Sequence, residues 1–280
     1  MLHARTIATS AGALCLTESD GQGLPILMLH GTGSCRAVFD RQLESPLART
    51  HRLIAVDLPG HGESENAPDP AAYSLRGMTR AMTELVGRLE LDRFMILGWS
   101  LGGHIAIEMT VHKGLAGLML CGTPPVARGA LAMLRAFRPS WDMPLASKEE
   151  YSDRDVARFF SLCYGRGATP QLLDAIRRAD GRVRAATVRS LMRGECLDQK
   201  HAVETASVPV ALVNGRDEPF VRLSYLDTLA GPALWHGMPI VIEDAGHAPF
   251  WDQPAAFNEV LAAFASDATF RETVPLRASA

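Results

Sequence analysis

The run Gly98-Trp99-Ser100-Leu101-Gly102 sets a serine between two glycines, directly after an apolar stretch and directly before one of helical spacing. A turn that tight needs small residues two before and two after its centre. It lifts the central hydroxyl clear at a helix N-terminus, where negative charge is favoured. Ser100 is therefore the candidate nucleophile, and the backbone N–H of Leu101 a candidate oxyanion donor. Serine attacks poorly without a base and a group that orients the base. His247, in Asp244-Ala245-Gly246-His247-Ala248-Pro249 after the last apolar run, is the candidate base. His104, four residues into the segment after Ser100, is expected to point away from it, and His30 and His61 to shape loops. Asn214-Gly215-Arg216-Asp217-Glu218-Pro219 supplies two adjacent carboxylates. Successive residues of an extended loop face opposite ways, so only one of Asp217 and Glu218 can reach His247. Asp57 is a third option, although the turn-like run after it suits a structural role. A second oxyanion donor is expected from the glycine-rich loop His30-Gly31-Thr32-Gly33-Ser34, with Thr32 as the donor. That loop lacks both phosphate-cradling patterns, G-x-x-x-x-G-K-[ST] and G-x-G-x-x-G. The chain also has no H-E-x-x-H or paired-cysteine spacing, so no metal or other cofactor is expected.

These residues need a scaffold that brings widely separated loops to one edge. Short apolar runs at Leu24–Leu29, Arg52–Asp57, Arg93–Leu97, Leu115–Cys121, Val208–Val213 and Pro239–Glu243 read as buried parallel strands. Ser74–Leu89, Leu101–His112, Val221–Leu229 and Pro254–Ser266 carry helical spacing, and the segment before Leu24 suits a leading antiparallel hairpin around Gly12. The pattern predicts an α/β fold, a mostly parallel sheet flanked by helices. The stretch 124–205 breaks the alternation. It is helical in spacing, with interruptions at Pro139, Pro144, Gly165–Gly167 and Gly181, and is expected to form a helical cap inserted into a core of 1–123 and 206–280. Within it Phe137, Trp141, Met143, Phe159 and Phe160, with Trp99 from the core, are candidates for an apolar substrate-binding slot. The tail after Phe270 is expected to fray.

The 280 residues are 47% hydrophobic and 21% charged, which excludes a disordered chain. With 28 Lys+Arg against 31 Asp+Glu the net charge is −3, so no basic field exists to hold nucleic acid or an anionic membrane. No spanning helix and no secretory leader are read. The five scattered cysteines suit a reducing compartment, and a cytoplasmic location is expected. The partner expected is a small molecule.

The motifs H-G-T-G-S, D-L-P-G-H-G-E-S, G-W-S-L-G-G-H, G-R-D-E-P and G-H-A-P-F, in this order and spacing, resemble the α/β-hydrolase superfamily across nearly the whole chain. Gly98–Met109, Cys121–Arg128, Ser152–Val156, Val213–Val221 and Asp244–Phe250 more closely resemble the metal-independent N-acyl-homoserine lactonases, which degrade bacterial quorum signals. The resemblance implies Ser100 as nucleophile, His247 as base, Leu101 and Thr32 as oxyanion donors, and Glu218, three residues after Gly215, as the acid. It departs at Thr32, where those lactonases imply an asparagine. A backbone N–H survives that change; a side-chain contact does not.

The expected activity is hydrolysis of the lactone ring of N-acyl-homoserine lactones. The alternatives are a carboxylesterase or C–C bond hydrolase acting on another small acyl substrate, and a non-catalytic receptor on the same scaffold. Dehalogenase and epoxide hydrolase chemistry would need an aspartate where Ser100 stands. Because charge stabilisation is assigned to backbone amides and a neutral histidine, turnover of an ester or lactone substrate is expected to survive exhaustive treatment with chelators. A large loss that zinc or manganese restores would reverse that assignment.

Overall fold

The computed structural model describes residues 1–165 and 169–270. The interruption foreseen at Gly165–Gly167 and the tail after Phe270 therefore lie largely or wholly outside the described residues. Eight strands form one sheet: β1 (Leu2–Thr9), β2 (Gly12–Ser19), β3 (Gly23–Leu29), β4 (His51–Val56), β5 (Phe94–Trp99), β6 (Leu115–Cys121), β7 (Val210–Gly215) and β8 (Ile240–Ile242). Their spatial order is β1-β2-β4-β3-β5-β6-β7-β8. The hairpin β1–β2 is antiparallel and joins β4 antiparallel; every later pairing is parallel.

The parallel strands are apolar at nearly every position because both of their faces are covered. Alternate residues divide between two cores, as the period of a strand requires. Leu27, Leu29, Ile96, Leu118 and Leu212 pack on one side, where α1 (Leu75–Arg88) and α2 (Leu101–Glu108) lie. Met28, Met95, Leu97, Met119 and Val213 pack on the other, with Phe257, Leu261 and Phe264 of the C-terminal helix Pro254–Phe270. Register fixes the common edge. Leu29 pairs with Gly98, Trp99 with Cys121, Cys121 with Val213 and Gly215 with Ile242. The loops that follow β3, β5, β6, β7 and β8 therefore emerge together, as ligand sites on open parallel sheets require.

Between β6 and β7 the described residues contribute no strand to the sheet. They form α3 (Ala130–Ala136), α4 (Asp153–Tyr164), α5 (Pro170–Arg178), α6 (Arg182–Arg193) and α7 (Gln199–Glu204). A capping box fixes the start of α4, with the Ser152 hydroxyl accepting from the Asp155 N–H and Asp155 accepting in return. Gly194 in the left-handed region stops α6. The C-terminal helix, now α8, runs four residues further than its apolar spacing suggests. The stretch Val221–Leu229 is helical only over Leu223–Leu226, because Val221 is engaged in an isolated antiparallel bridge with Phe137. The Leu101–His112 segment is α-helical only to Glu108 and closes in a 3-10 turn over Met109–Val111. Among the described residues no helix is long and apolar enough to cross a membrane.

Asp57, just past β4, is fully buried and faces no catalytic candidate. Its carboxylate is paired with the Arg36 guanidinium and accepts the Arg36 backbone N–H at 2.6 Å and the Glu63 N–H at 2.9 Å. It thereby ties the loop after β3 to the loop after β4. Asp57→Ala would leave two amides without their acceptor and remove the buried partner of Arg36, which keeps Glu63 and Thr17, and is expected to lower unfolding stability by about 2–4 kcal/mol. Denaturant unfolding measures this; a loss below about 1 kcal/mol would show that the pair is not structural.

Candidate active site

Ser100 occupies the corner between β5 and α2 with φ 52° and ψ −114°, a left-handed backbone that a residue with a side chain rarely adopts. Neighbouring backbone leaves little freedom here. The Ser100 N–H donates to the Cys121 carbonyl at 2.9 Å, and the Ser100 carbonyl accepts from Gly103 N–H and the Thr123 hydroxyl, each at 3.0 Å. A Cβ on Gly102 would sit 2.0 Å from the Leu29 carbonyl oxygen, and one on Gly98 would sit 2.6 Å from the Gly102 carbonyl oxygen. The glycines are thus required by close approach.

The loop after β3 lies against this corner, since a Cβ on Gly31 would meet the Ser100 Cβ at 3.1 Å. His30 holds the loop in place. Its Nδ1 is 2.8 Å from the Gly31 carbonyl and its Nε2 accepts the Leu58 N–H at 3.0 Å. Burial lowers its pKa to about 4, so the ring stays neutral. Thr32 follows and lines the same cavity as Ser100 and Leu101.

His247 is buried on the loop after β8. Its Nδ1 lies 2.8 and 3.0 Å from the two carboxylate oxygens of Glu218. Glu218 is fully buried, and its Oε1 also accepts the Phe220 N–H at 2.8 Å and the Val221 N–H at 3.2 Å. Asp217 is exposed; its backbone N–H donates to the Ala245 carbonyl and its side chain faces away. Trp99 secures the histidine loop by donating its indole N–H to the His247 carbonyl at 2.8 Å. The Phe220 ring meets the imidazole edge-on at 4.7 Å, and Gly122 (φ 56°) comes so close that a Cβ there would lie 2.7 Å from its Cε1.

A cavity of about 400 Å³ opens over Ser100 and His247, and its remaining wall is mostly apolar. Trp99, Met143, Phe159 and Phe137, each singled out from sequence, line it. Two choices are corrected. Trp141 is fully exposed, and Phe160 packs on the Tyr164 ring at 5.5 Å; neither lines the cavity. Helical spacing marks an apolar face without saying which cavity the face meets. Phe220 and the α6 residues Val188, Leu191 and Met192 line it and were not singled out from sequence. Phe220, two residues after Glu218, could have been found from its place in the acid loop. His104, expected to point away from Ser100, hydrogen-bonds Gln199 at 2.7 Å and also lines the cavity. Among the described residues no group of three metal-ligating side chains is clustered.

The sequence profile of the alpha/beta hydrolase family matches residues 26–260. The chain belongs to that family. Among known α/β-hydrolases it is 29% identical over 263 residues to a pimeloyl-[acyl-carrier protein] methyl ester esterase of Nitrosomonas europaea, covering 86% of this chain and 95% of that one. Two solved structures of the N-acyl homoserine lactonase AidH are more alike. A variant complexed with N-hexanoyl homoserine shares 41% identity at a TM-score of 0.93, covering 96% of this chain and 98% of that one. AidH complexed with N-butanoyl homoserine shares 42% at 0.92, covering 96% and 98%. This α/β-hydrolase therefore resembles the N-acyl-homoserine lactonases in sequence and fold.

The geometry ranks the two adjacent carboxylates. Glu218→Gln keeps the shape but removes the charge facing the imidazole and favours the wrong tautomer, so kcat is expected to fall by roughly 10³–10⁴. Asp217→Asn is expected to stay within about threefold of wild type, being a surface change. Steady-state rates on one ester or lactone substrate check both; the reverse ranking would remove Glu218 from the reaction.

Proposed function

We propose that the protein is a serine hydrolase that opens the lactone ring of N-acyl-homoserine lactones. One observation carries this reading: 41% identity and a TM-score of 0.93, over 96% of the chain, to a lactonase variant held in complex with N-hexanoyl homoserine, a ring-opened product. The mostly apolar cavity at Ser100 suits an acyl chain.

In the mechanism, Nδ1–H of His247 donates to Glu218, so Nε2 keeps its lone pair and takes the proton of Ser100 as Oγ attacks the lactone carbonyl. The backbone N–H groups of Leu101 and Thr32 receive the negative oxygen of the tetrahedral intermediate. That a main-chain donor serves at Thr32 makes the residue type secondary there. Collapse breaks the ring C–O bond, and the imidazolium returns its proton to the alkoxide, which stays tethered to the acyl-enzyme. A water then attacks with His247 as base, and an open-chain N-acyl-homoserine leaves. In this reading the helical segment 124–205 is the cap of the site, with Met143 and Phe159 as acyl contacts. A second reading, a carboxylic ester hydrolase of another small acyl substrate, is favoured by the 29% likeness to a methyl ester esterase.

Mass spectrometry of the product separates the readings. N-hexanoyl-homoserine lactone is expected to gain one water and one carboxylate, and acidification is expected to reclose the ring. Ser100→Ala is expected to retain less than about a hundredth of the activity. Release of free homoserine lactone, or intact lactones alongside rapid turnover of simple esters, would replace the lactonase reading.

A further inference from the structure

His104 sits one helical turn beyond Ser100, is 5% exposed, and lines the cavity, yet it takes no part in the steps above. Its Nδ1 lies 2.7 Å from Oε1 of Gln199, a residue of α7. The Gln199 amide is oriented from its other end, where Nε2 donates to Oε1 of Glu108 at 3.2 Å and to the His104 carbonyl at 3.4 Å. Glu108 also takes the Leu197 N–H on its carboxylate at 3.1 Å. With its NH₂ turned to these acceptors, Gln199 presents its carbonyl oxygen to His104. A carbonyl oxygen only accepts, so Nδ1 of His104 carries the proton and Nε2 keeps its lone pair. Burial lowers the pKa of this imidazole to about 4, which holds it neutral. Among the described residues Nε2 has no hydrogen-bond partner.

A fixed acceptor on a mostly apolar wall, where Met133, Phe137, Phe159 and Leu191 stand beside the unpartnered Thr187 hydroxyl, suits a ligand that brings a hydroxyl able both to donate and to accept. Resting on the lactonase reading, we propose that Nε2 of His104 accepts a hydrogen bond from a hydroxyl on the acyl chain, so that the site prefers 3-hydroxyacyl to 3-oxoacyl homoserine lactones. The substrate amide N–H stays with the head group, two bonds from the reacting carbonyl. One helical turn advances about 5–6 Å, which matches the span from that carbonyl to the third acyl carbon. A ketone at that carbon offers only lone pairs, and against Nε2 it would leave two acceptors facing each other.

The test compares kcat/KM for hexanoyl, 3-hydroxyhexanoyl and 3-oxohexanoyl homoserine lactones. Wild type is expected to favour the hydroxy over the oxo chain by about tenfold, the effect of one neutral hydrogen bond. His104→Phe removes the acceptor and is expected to bring that ratio near one, the unsubstituted hexanoyl lactone being the reference against which both chains are scaled. Nitrogen-15 NMR of the wild-type protein, which needs no variant to fold, is expected to find His104 protonated on Nδ1 and bare on Nε2 at neutral pH. Calorimetric binding to Ser100→Ala separates this proposal from the lactonase reading. Tighter binding of the hydroxy chain without any ring opening by wild type would remove the lactonase reading and leave the His104 contact standing. Equal binding of the two chains, a ratio unmoved in His104→Phe, or a protonated Nε2 would each overturn the proposal.

Discussion

The backbone at Ser100 is held at φ 52°, and the rest of the site depends on that one corner. Such a conformation costs on the order of 1–3 kcal/mol and persists only where the surroundings over-determine it. Here they do so through main-chain contacts. The Ser100 N–H is tied to β6, its carbonyl is bonded into the first turn of α2, and the Gly102 N–H donates to the His30 carbonyl at 3.1 Å. These contacts join three adjacent strands, so the hydroxyl is positioned by the sheet itself. They also bring the loop after β3 against the serine and leave no space for side chains at Gly98 or Gly102 and little at Gly31.

Much of this scaffold is legible from residues alone, for a physical reason. A strand buried on both faces must be apolar at successive positions, and six such runs separated by helical spacing admit few architectures. The corner at Ser100 is legible because steric exclusion dictates glycine at fixed offsets. Element ends are less so. The run read as Arg93–Leu97 extends through Trp99, because strand pairing with Cys121 outlasts the apolar stretch. The choice between Asp217 and Glu218 is not legible from alternation, which says that one of them faces His247 and is silent on which. The turn decides it: the Asp217 N–H is drawn to the Ala245 carbonyl, and Glu218 is left facing inward. Trp141 and Phe160 mark the same limit, since apolar content fixes burial on average and does not fix which surface a side chain meets.

Four histidines are buried, and their partners separate their chemistry better than their positions do. His30 and His61 have Nδ1 against the backbone carbonyls of Gly31 and Pro59, and His104 against the amide oxygen of Gln199. A neutral carbonyl fixes the tautomer but offers little compensation for a charge. In all three, desolvation is the largest influence and lowers the pKa, to about 4 for His30 and His104 and about 3 for His61. Only His247 has its Nδ1 against a carboxylate, that of buried Glu218. A carboxylate fixes the same tautomer and, unlike a carbonyl, also stabilises the imidazolium that forms when Nε2 takes a proton. Burial alone therefore produces hydrogen-bonding histidines, which can hold a loop or present an acceptor. Burial against a carboxylate is the arrangement that the proposed general base requires, and the fold supplies it on the cavity that Ser100 lines.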